Sequence, residues 1–416
     1  NEMSGVSIAN NLMFVFIIVC FGAVSGAGIF SAQYFGKGDM KGMGAAFRVK
    51  LYICTFVTLF AIIIFSVFGK ELIGLYLHDV SDDVGDPQIA LSMASKYLNV
   101  MLIGLPFLAF SMCYASTLRE SGQTVLPMIS GIIAVAVNLV FNYLLIFGKF
   151  GFPKLGVEGA AIATVMSRIT EFTINVVYTH IKAKKYSYVK YTYNTFKVPA
   201  ILAKGVATKG FPLVVNEALW VLSITFVTQC YSSRGLAAVS ALNINSSITN
   251  VFNTFFLAMG SAVSIIVGQL LGSNKLDEAK TTTRKLIAFT FAVTVVTGTL
   301  LALCSSSFPN MYNTEDVVKH LATKIILVNA CFVPFQGICH SAYFALRSGG
   351  KTWLTFLFDS GLQWVCYVPI AFTLSRFTDL PVVYVFAAAC MSDVIKCFVS
   401  IAFIAKSNWA QNIVKE

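Results

Sequence analysis

The stretch "LRESGQT" (118–124) returns as "LRSGGKT" (346–352), and that echo decides the fold. The same offset pairs Pro106-Phe107 with Pro334-Phe335. Upstream, "GAVSGAGIFSAQYFGKGD" (22–39) answers "AMGSAVSIIVGQLLGSNK" (258–275), which aligns Gln33 with Gln269 and Gly36 with Gly272. "MSRITE" (166–171) likewise answers "MSDVIK" (391–396). Several matches in one order at nearly constant offset mean two homologous halves. The connectors at 36–47 and 272–285 correspond and fall on one side, so the halves share a topology rather than being inverted.

The spaces between these echoes are apolar. The 416 residues are 57% hydrophobic and only 12% charged, with a mean hydropathy of +0.76, against about 25% charged in a soluble domain. Uncharged runs near or above the roughly 20 residues that cross a bilayer recur throughout. We therefore expect an all-α polytopic membrane protein with helices near 8–35, 47–69, 88–118, 123–148, 157–181, 211–232, 240–271, 286–308, 321–346, 352–375 and 381–405. That is five helices in the first half and six in the second. The domains expected are a first lobe over 1–181, an inter-lobe linker over 182–209 and a second lobe over 210–416. The helix at 211–232 has no partner in the first half, so a further N-terminal helix, preceding Asn1 in the intact protein, is expected.

The net charge of +11 does not point to nucleic acid, because the basic residues cluster in short connectors. One set of connectors (37–50, 119, 182–209, 275–285, 347–351 and 406–415) holds twenty Lys and Arg; the opposite set holds seven, and an acidic stretch of Asp79, Asp82, Asp83 and Asp86. Cytoplasmic loops carry the excess of Lys and Arg. The C-terminus is expected inside and residue 1 outside, in a multi-pass protein of the cell membrane. The linker "KAKKYSYVKYTYNTFKVPAILAKG" (182–205) mixes Lys with Tyr, as a segment along the inner membrane surface does, and Pro199 interrupts it. The ten cysteines are scattered singly, which fits reduced, packed thiols and no metal site. No HExxH or nucleophile elbow points to an enzyme.

Acids deep within the spans are few: Glu171, Glu217, Asp359 and Asp393. Each costs on the order of 2.5–3.5 kcal/mol at the membrane centre unless it faces a cavity or a partner. Arg168 with Glu171, and Asp393 with Lys396, stand three residues apart and are expected as structural ion pairs. Glu217 and Asp359 have no basic neighbour within a helical turn. They are either titratable ion-coupling groups or protonated, hydrogen-bonded packing groups. Asn243, Asn250 and Asn253 share roughly one helical face and either line a cavity or lock helices together. Pro106, Pro334 and Pro369 are candidate bends.

Two six-helix halves with "AQYFGKGD" (32–39), "LRSGGKT" (346–352), "GFPLVVNEALW" (210–220) and "SNWAQN" (407–412) resemble the multidrug and toxic compound extrusion (MATE) family. The resemblance implies two bundles around a central cleft and a secondary antiporter, in which H+ or Na+ entry drives export of amphipathic, cationic compounds by alternating access. No cofactor beyond the coupling ion is implied. Partners would be a small organic cation and membrane lipid, not nucleic acid, and a monomer is expected.

In relatives a seventh-helix acid falls near Trp220, one turn from Glu217, and a tenth-helix carboxylate falls on Gln336, where Asp359 on the next helix is a substitute. His340 lies one turn beyond Gln336 on the same face. A first-half Asn-x-x-x-Asp pair falls on Asn138 and Asn142, both amides here. The resemblance therefore favours coupling through the second half, with Asn138, Asn142, Asn216, Trp220, Asn243, Gln336, His340 and Gln363 as cleft candidates. A lipid-linked oligosaccharide flippase of the same wider superfamily is the alternative. It calls for several cations to hold a pyrophosphate, where Arg168, Lys396 and, near one end, Lys96 are the deep basic residues.

Overall fold

The computed structural model describes residues 2–77 and 87–415. The acidic stretch Asp79, Asp82, Asp83 and Asp86 lies outside the described residues. Among the described residues there are no strands, and ten helices are long and apolar enough to cross a membrane. In chain order all the helices are α1 (Glu2–Lys37), α2 (Met40–Leu77), α3 (Pro87–Glu120), α4 (Val125–Phe147), α5 (Val157–Ile181), then the short α6 (Tyr188–Tyr193), and α7 (Ala200–Ser232). They continue with α8 (Leu236–Gly272), α9 (Leu276–Cys304), α10 (Asp316–Ser348), the broken pair α11 (Thr352–Phe356) and α12 (Val368–Phe377), and α13 (Val382–Lys406). Ten of the eleven segments expected from the sequence are single helices, several longer than expected, and the eleventh, 352–375, is interrupted between α11 and α12. α7 begins at Ala200 rather than near 211, because Pro212 removes one backbone donor without stopping a helix whose flanks favour it.

The chain forms two compact units: Asn1–Ser31 with Asp39–Val214, and Ala32–Gly38 with Val215–Glu416. In the first, α3 packs against α2 and α5, and α4 against α5. The linker is drawn onto α2 rather than lying free. Arg48 donates to the carbonyls of Thr192 (2.9 Å), Tyr191 (2.6 Å) and Lys197, and Tyr188 is 1% exposed beside the Phe47 ring. Arg48, read from sequence as an orientation charge, is thus a buried clamp on linker carbonyls.

In the second unit α10 is the central helix, packed against α8, α9 and α13. Ile325, Ile326, Val385, Ala389 and Leu301 are fully buried in its core. Small residues set the spacing: a Cβ on Gly298 would meet the Ala330 carbonyl at 2.8 Å. Small side chains at helix crossings allow this closeness.

The repeat reappears as a reciprocal contact within this unit. A Cβ on Gly36 would lie 2.0 Å from the Gln269 carbonyl oxygen, and one on Gly272 would lie 1.9 Å from that of Gln33. These are the residues that the sequence echo aligns, and only glycine fits at either place. The non-helical segment 407–415 closes over this crossing. Gln33 donates to the Ser348 and Gln411 carbonyls and accepts from Ile413 N, and Asn412 donates to the Gly272 carbonyl.

Of the three prolines expected to bend helices, Pro106 and Pro334 sit inside uninterrupted α3 and α10. At Pro369 the hydrogen-bond pattern does change: residues Leu357–Gly361 and Gln363–Tyr367 form π turns between α11 and α12. Proline offers no N–H and its ring crowds the carbonyl four residues back, here Val365. Such wide turns recur at functional sites, and Asp359 and Gln363 both lie on them.

Candidate functional site

Helical spacing gathers a polar stripe on α10. Gln336, His340, Tyr343 and Arg347 follow at steps of four, three and four, which is one face. α7 brings Asn216 and Glu217, the π turns bring Asp359, Ser360 and Gln363, and α13 brings Asp393 and Lys396.

Asp359 is the hub. Its Oδ2 accepts from Asn216 Nδ2 at 3.0 Å, and its Oδ1 stands 3.6 Å from Lys396 Nζ. Asn216 is 2% exposed and held in turn by Ser360, whose hydroxyl donates to its Oδ1 at 2.6 Å. Lys396 donates to Gln363 Oε1 at 2.6 Å. Asp393 accepts from Gln336 Nε2 at 2.9 Å. Tyr343, hydrogen-bonded to Arg347, lies in the field of Glu217 and Asp359, and the Arg347 guanidinium stacks over the Phe344 ring at 5.2 Å. His340 senses Asp359 and Lys396.

Two expectations need correction. The Asp393–Lys396 ion pair does not form; the ammonium turns to Gln363 and Asp359, while Gln336 holds Asp393. Asp359 is therefore not a carboxylate without a cation, because its partner comes from another helix. Spacing along one helix cannot register a partner across the bundle.

Glu217 is different. It is partly buried, with Arg347 and Asp359 as its charged neighbours, and among the described residues no hydrogen bond or close ion pair reaches it. Sequence reading missed Arg347, counted among connector charges although it is 3% exposed. Its signal was the helical phase of Gln336 and His340.

Other candidates lie elsewhere. Trp220 is 37% exposed, and Asn243 and Asn250 are exposed on α8. The interhelical lock is made instead by Asn245 and Thr249, which meet Asn329 of α10. In the first unit, Arg168 pairs with Glu171 at 2.9 Å as expected. Asn142 donates to Asn138 at 2.9 Å, and Asn138 reaches Thr164 at 3.4 Å, so these amides tie α4 to α5. A cavity of about 190 Å³ beside α1, α3 and α5 is lined by Asn10, Met13, Met101, Thr164 and Arg168. That volume is below the roughly 300 Å³ that a drug-sized ligand occupies. Unmarked in the sequence was the buried pair Lys50 Nζ–Glu120 Oε2, 2.5 Å apart and supported by Ser116 and Thr117. Among the described residues no cluster of three or more His, Cys, Asp or Glu is placed to hold a metal ion.

Comparison with known proteins agrees with this architecture. The chain is 25% identical over 382 residues to the Bacillus subtilis protein named "Probable multidrug resistance protein YoeA", covering 92% of this chain and 81% of that one. It is 23% identical over 418 residues to "Probable multidrug resistance protein NorM" of Thermotoga maritima, covering 99% and 86%. The fold matches a solved outward-facing multidrug resistance MATE transporter of the MOP superfamily with a TM-score of 0.85 at 16% identity, over 97% of this chain and 87% of that one. The MatE family model matches residues 1–144 and 212–373. With the internal repeat, the ten long apolar helices and this match over most of its length, the chain is a multi-pass membrane protein that belongs to the MatE family of multidrug and toxic compound extrusion transporters.

Proposed function

We propose that this protein is a secondary active efflux transporter that exchanges H+ or Na+ for amphipathic organic cations, and that its second unit carries the coupling. The observation that carries this is Glu217. It stands in the span of α7 with an acid, Asp359, and a base, Arg347, near it, and among the described residues no donor is fixed to its oxygens. A carboxylate so placed is costly when empty and charged, and a proton, sodium ion or organic cation relieves that cost.

The first unit supports this assignment by contrast. Its amides Asn138 and Asn142 bond to each other and cannot release a proton. We further propose that the C-terminus is cytoplasmic, that the protein works as a monomer in the cell membrane, and that it needs no cofactor beyond the coupling ion.

Efflux from proteoliposomes, with proton and sodium gradients imposed separately, tests the proposal. One gradient should drive export of a fluorescent cation, and Glu217→Gln should abolish the driven component while leaving the protein folded. Undiminished gradient-driven export by that variant removes Glu217 from the mechanism.

A further inference from the structure

We propose that Lys396 is a tethered counter-cation: it occupies Asp359 when no transported cation is present, and it moves to Asp393 when one arrives. The inference rests on the reading that the second unit's carboxylates receive the transported or coupling cation, and it adds what holds that site between turnovers.

Three observations carry it. First, Lys396 is anchored beside the site rather than locked into it. Its short bond, 2.6 Å, goes to the neutral Gln363 amide, whereas Asp359 Oδ1 is 3.6 Å away. Ammonium–carboxylate hydrogen bonds close to about 2.7–2.9 Å when they are fully made.

Second, the two partners differ in access. The Lys396 side chain is 8% exposed, while that of Asp359 is 31% exposed, so a second cation can reach the carboxylate from its open face. Asn216, fixed by Ser360, holds Asp359 in place during such an exchange.

Third, a second acceptor waits within reach. Asp393 lies one turn before Lys396 on α13, the spacing at which a helix brings charges together. It now takes one donor, from Gln336, and its charge already acts with that of Lys396. The ammonium can therefore leave Asp359 for Asp393 by a change of rotamer, and neither carboxylate is stranded without a cation. The groups that face this exchange from each packed element are Glu217 on α7, His340, Tyr343 and Arg347 on α10, and Asp393 on α13.

The occupancy predicts that Lys396 sets how tightly a cation binds. Equilibrium binding of tetraphenylphosphonium to purified protein in nanodiscs, with thermal unfolding as a check on folding, reads this directly. Lys396→Gln should bind the probe at least about tenfold more tightly, the scale of one removed charge at this spacing and partial exposure, and should release it more slowly. Asp393→Asn, which leaves the ammonium only Asp359, should bind about tenfold more weakly by the same reasoning. In Lys396→Gln/Asp359→Asn the gain should vanish, because the competition is over that carboxylate.

No tightening in a folded Lys396→Gln, or a gain that survives in the double variant, overturns the proposal. Should Lys396→Gln not fold, Asp393→Asn decides alone, and unchanged affinity there overturns it. Wild-type binding and driven efflux in both Asp359→Asn and Glu217→Gln would instead show that the reading of the second unit as the cation site has failed.

Discussion

The buried pair of the first unit offers the sharpest energetic test. Lys50 Nζ is completely buried and Glu120 nearly so, at 0% and 7% exposure. The ammonium has Glu120 Oε2 at 2.5 Å, Ser116 Oγ at 3.1 Å and Thr117 Oγ1 at 3.3 Å, so each of its three protons has an acceptor. Glu120 Oε1 takes the Ser116 hydroxyl at 2.6 Å. Replacing Glu120 by Gln keeps the volume and leaves the lysine charge facing two hydroxyls and an amide. Breaking a buried pair from one side in this way costs about 3–5 kcal/mol.

Removing both charges, as in Lys50→Met with Glu120→Gln, should restore most of that loss, since no uncompensated buried charge then remains. A unit of this size loses about 2–4 °C per kcal/mol, so the single variant should melt on the order of 10 °C lower and the double variant close to wild type. Fluorescence-detected thermal unfolding in detergent, run as a double-mutant cycle, measures both. If Glu120→Gln melts within about 2 °C of wild type, less than one kcal/mol on that scale, the pair is not held in a dry environment. If the double variant is as unstable as the sum of the singles, the two charges do not act on one another. Either result refutes the reasoning.

Gly272→Ala places a methyl 1.9 Å from the Gln33 carbonyl, so the crossing must open; a protease-accessible C-terminal segment and a lower melting temperature should follow, and Gly38→Ala, whose Cβ meets no atom within 4 Å, should show only the smaller effect of a strained positive φ. Pro369→Ala returns a backbone N–H to the segment, and the π turns at 357–367 should tighten; because this rotates Asp359 relative to Asn216, gradient-driven efflux should fall severalfold while expression stays near wild type, which a transport assay normalised to protein amount reads. Arg48→Lys keeps the charge but loses the fork that grips three linker carbonyls, and limited proteolysis between residues 182 and 199 should become faster.

The large features were legible because each rests on a strong local signal. Long apolar runs fixed the spans, and the echo of "LRESGQT" in "LRSGGKT" located the repeat before any contact was known. The alignment of Gly36 with Gly272 even named the two residues that make the reciprocal crossing. What escaped was partnership across helices. Lys50 and Arg48 read as orientation charges because a positive residue near the end of a span has that meaning by default. A comparison of the two halves held the missing signal. Lys50 aligns with Leu286 and Glu120 with Ser348, so the base and the acid stand together in one half and are both absent from the other, as a pair would be. The Asp393–Lys396 assignment failed for the same reason: three-residue spacing permits a contact, but Gln363 and Asp359 on a neighbouring segment compete for the ammonium at 2.6 and 3.6 Å.

Charge counting then links the corrected partnerships to transport. The cluster joins three carboxylates, Glu217, Asp359 and Asp393, with two cationic side chains, Arg347 and Lys396. Among these five side chains, three negative against two positive, the balance is one positive charge short of neutrality. An unbalanced charge within the span is costly, and under the proposed function a proton or one monovalent cation offsets it. Had Lys396 belonged only to Asp393, as spacing along α13 suggested, Asp359 and Glu217 together would share Arg347, and the geometry would leave the deficit spread over two sites. With Lys396 on Asp359 and Asn216 clasping the same carboxylate, Asp359 is the acid least in need of a further cation, whereas Asp393 has a neutral amide and Glu217 has only Arg347 in its neighbourhood. That is why the acid with no fixed donor, rather than the better-connected Asp359, is the group whose neutralisation by Gln should remove the response to an imposed gradient.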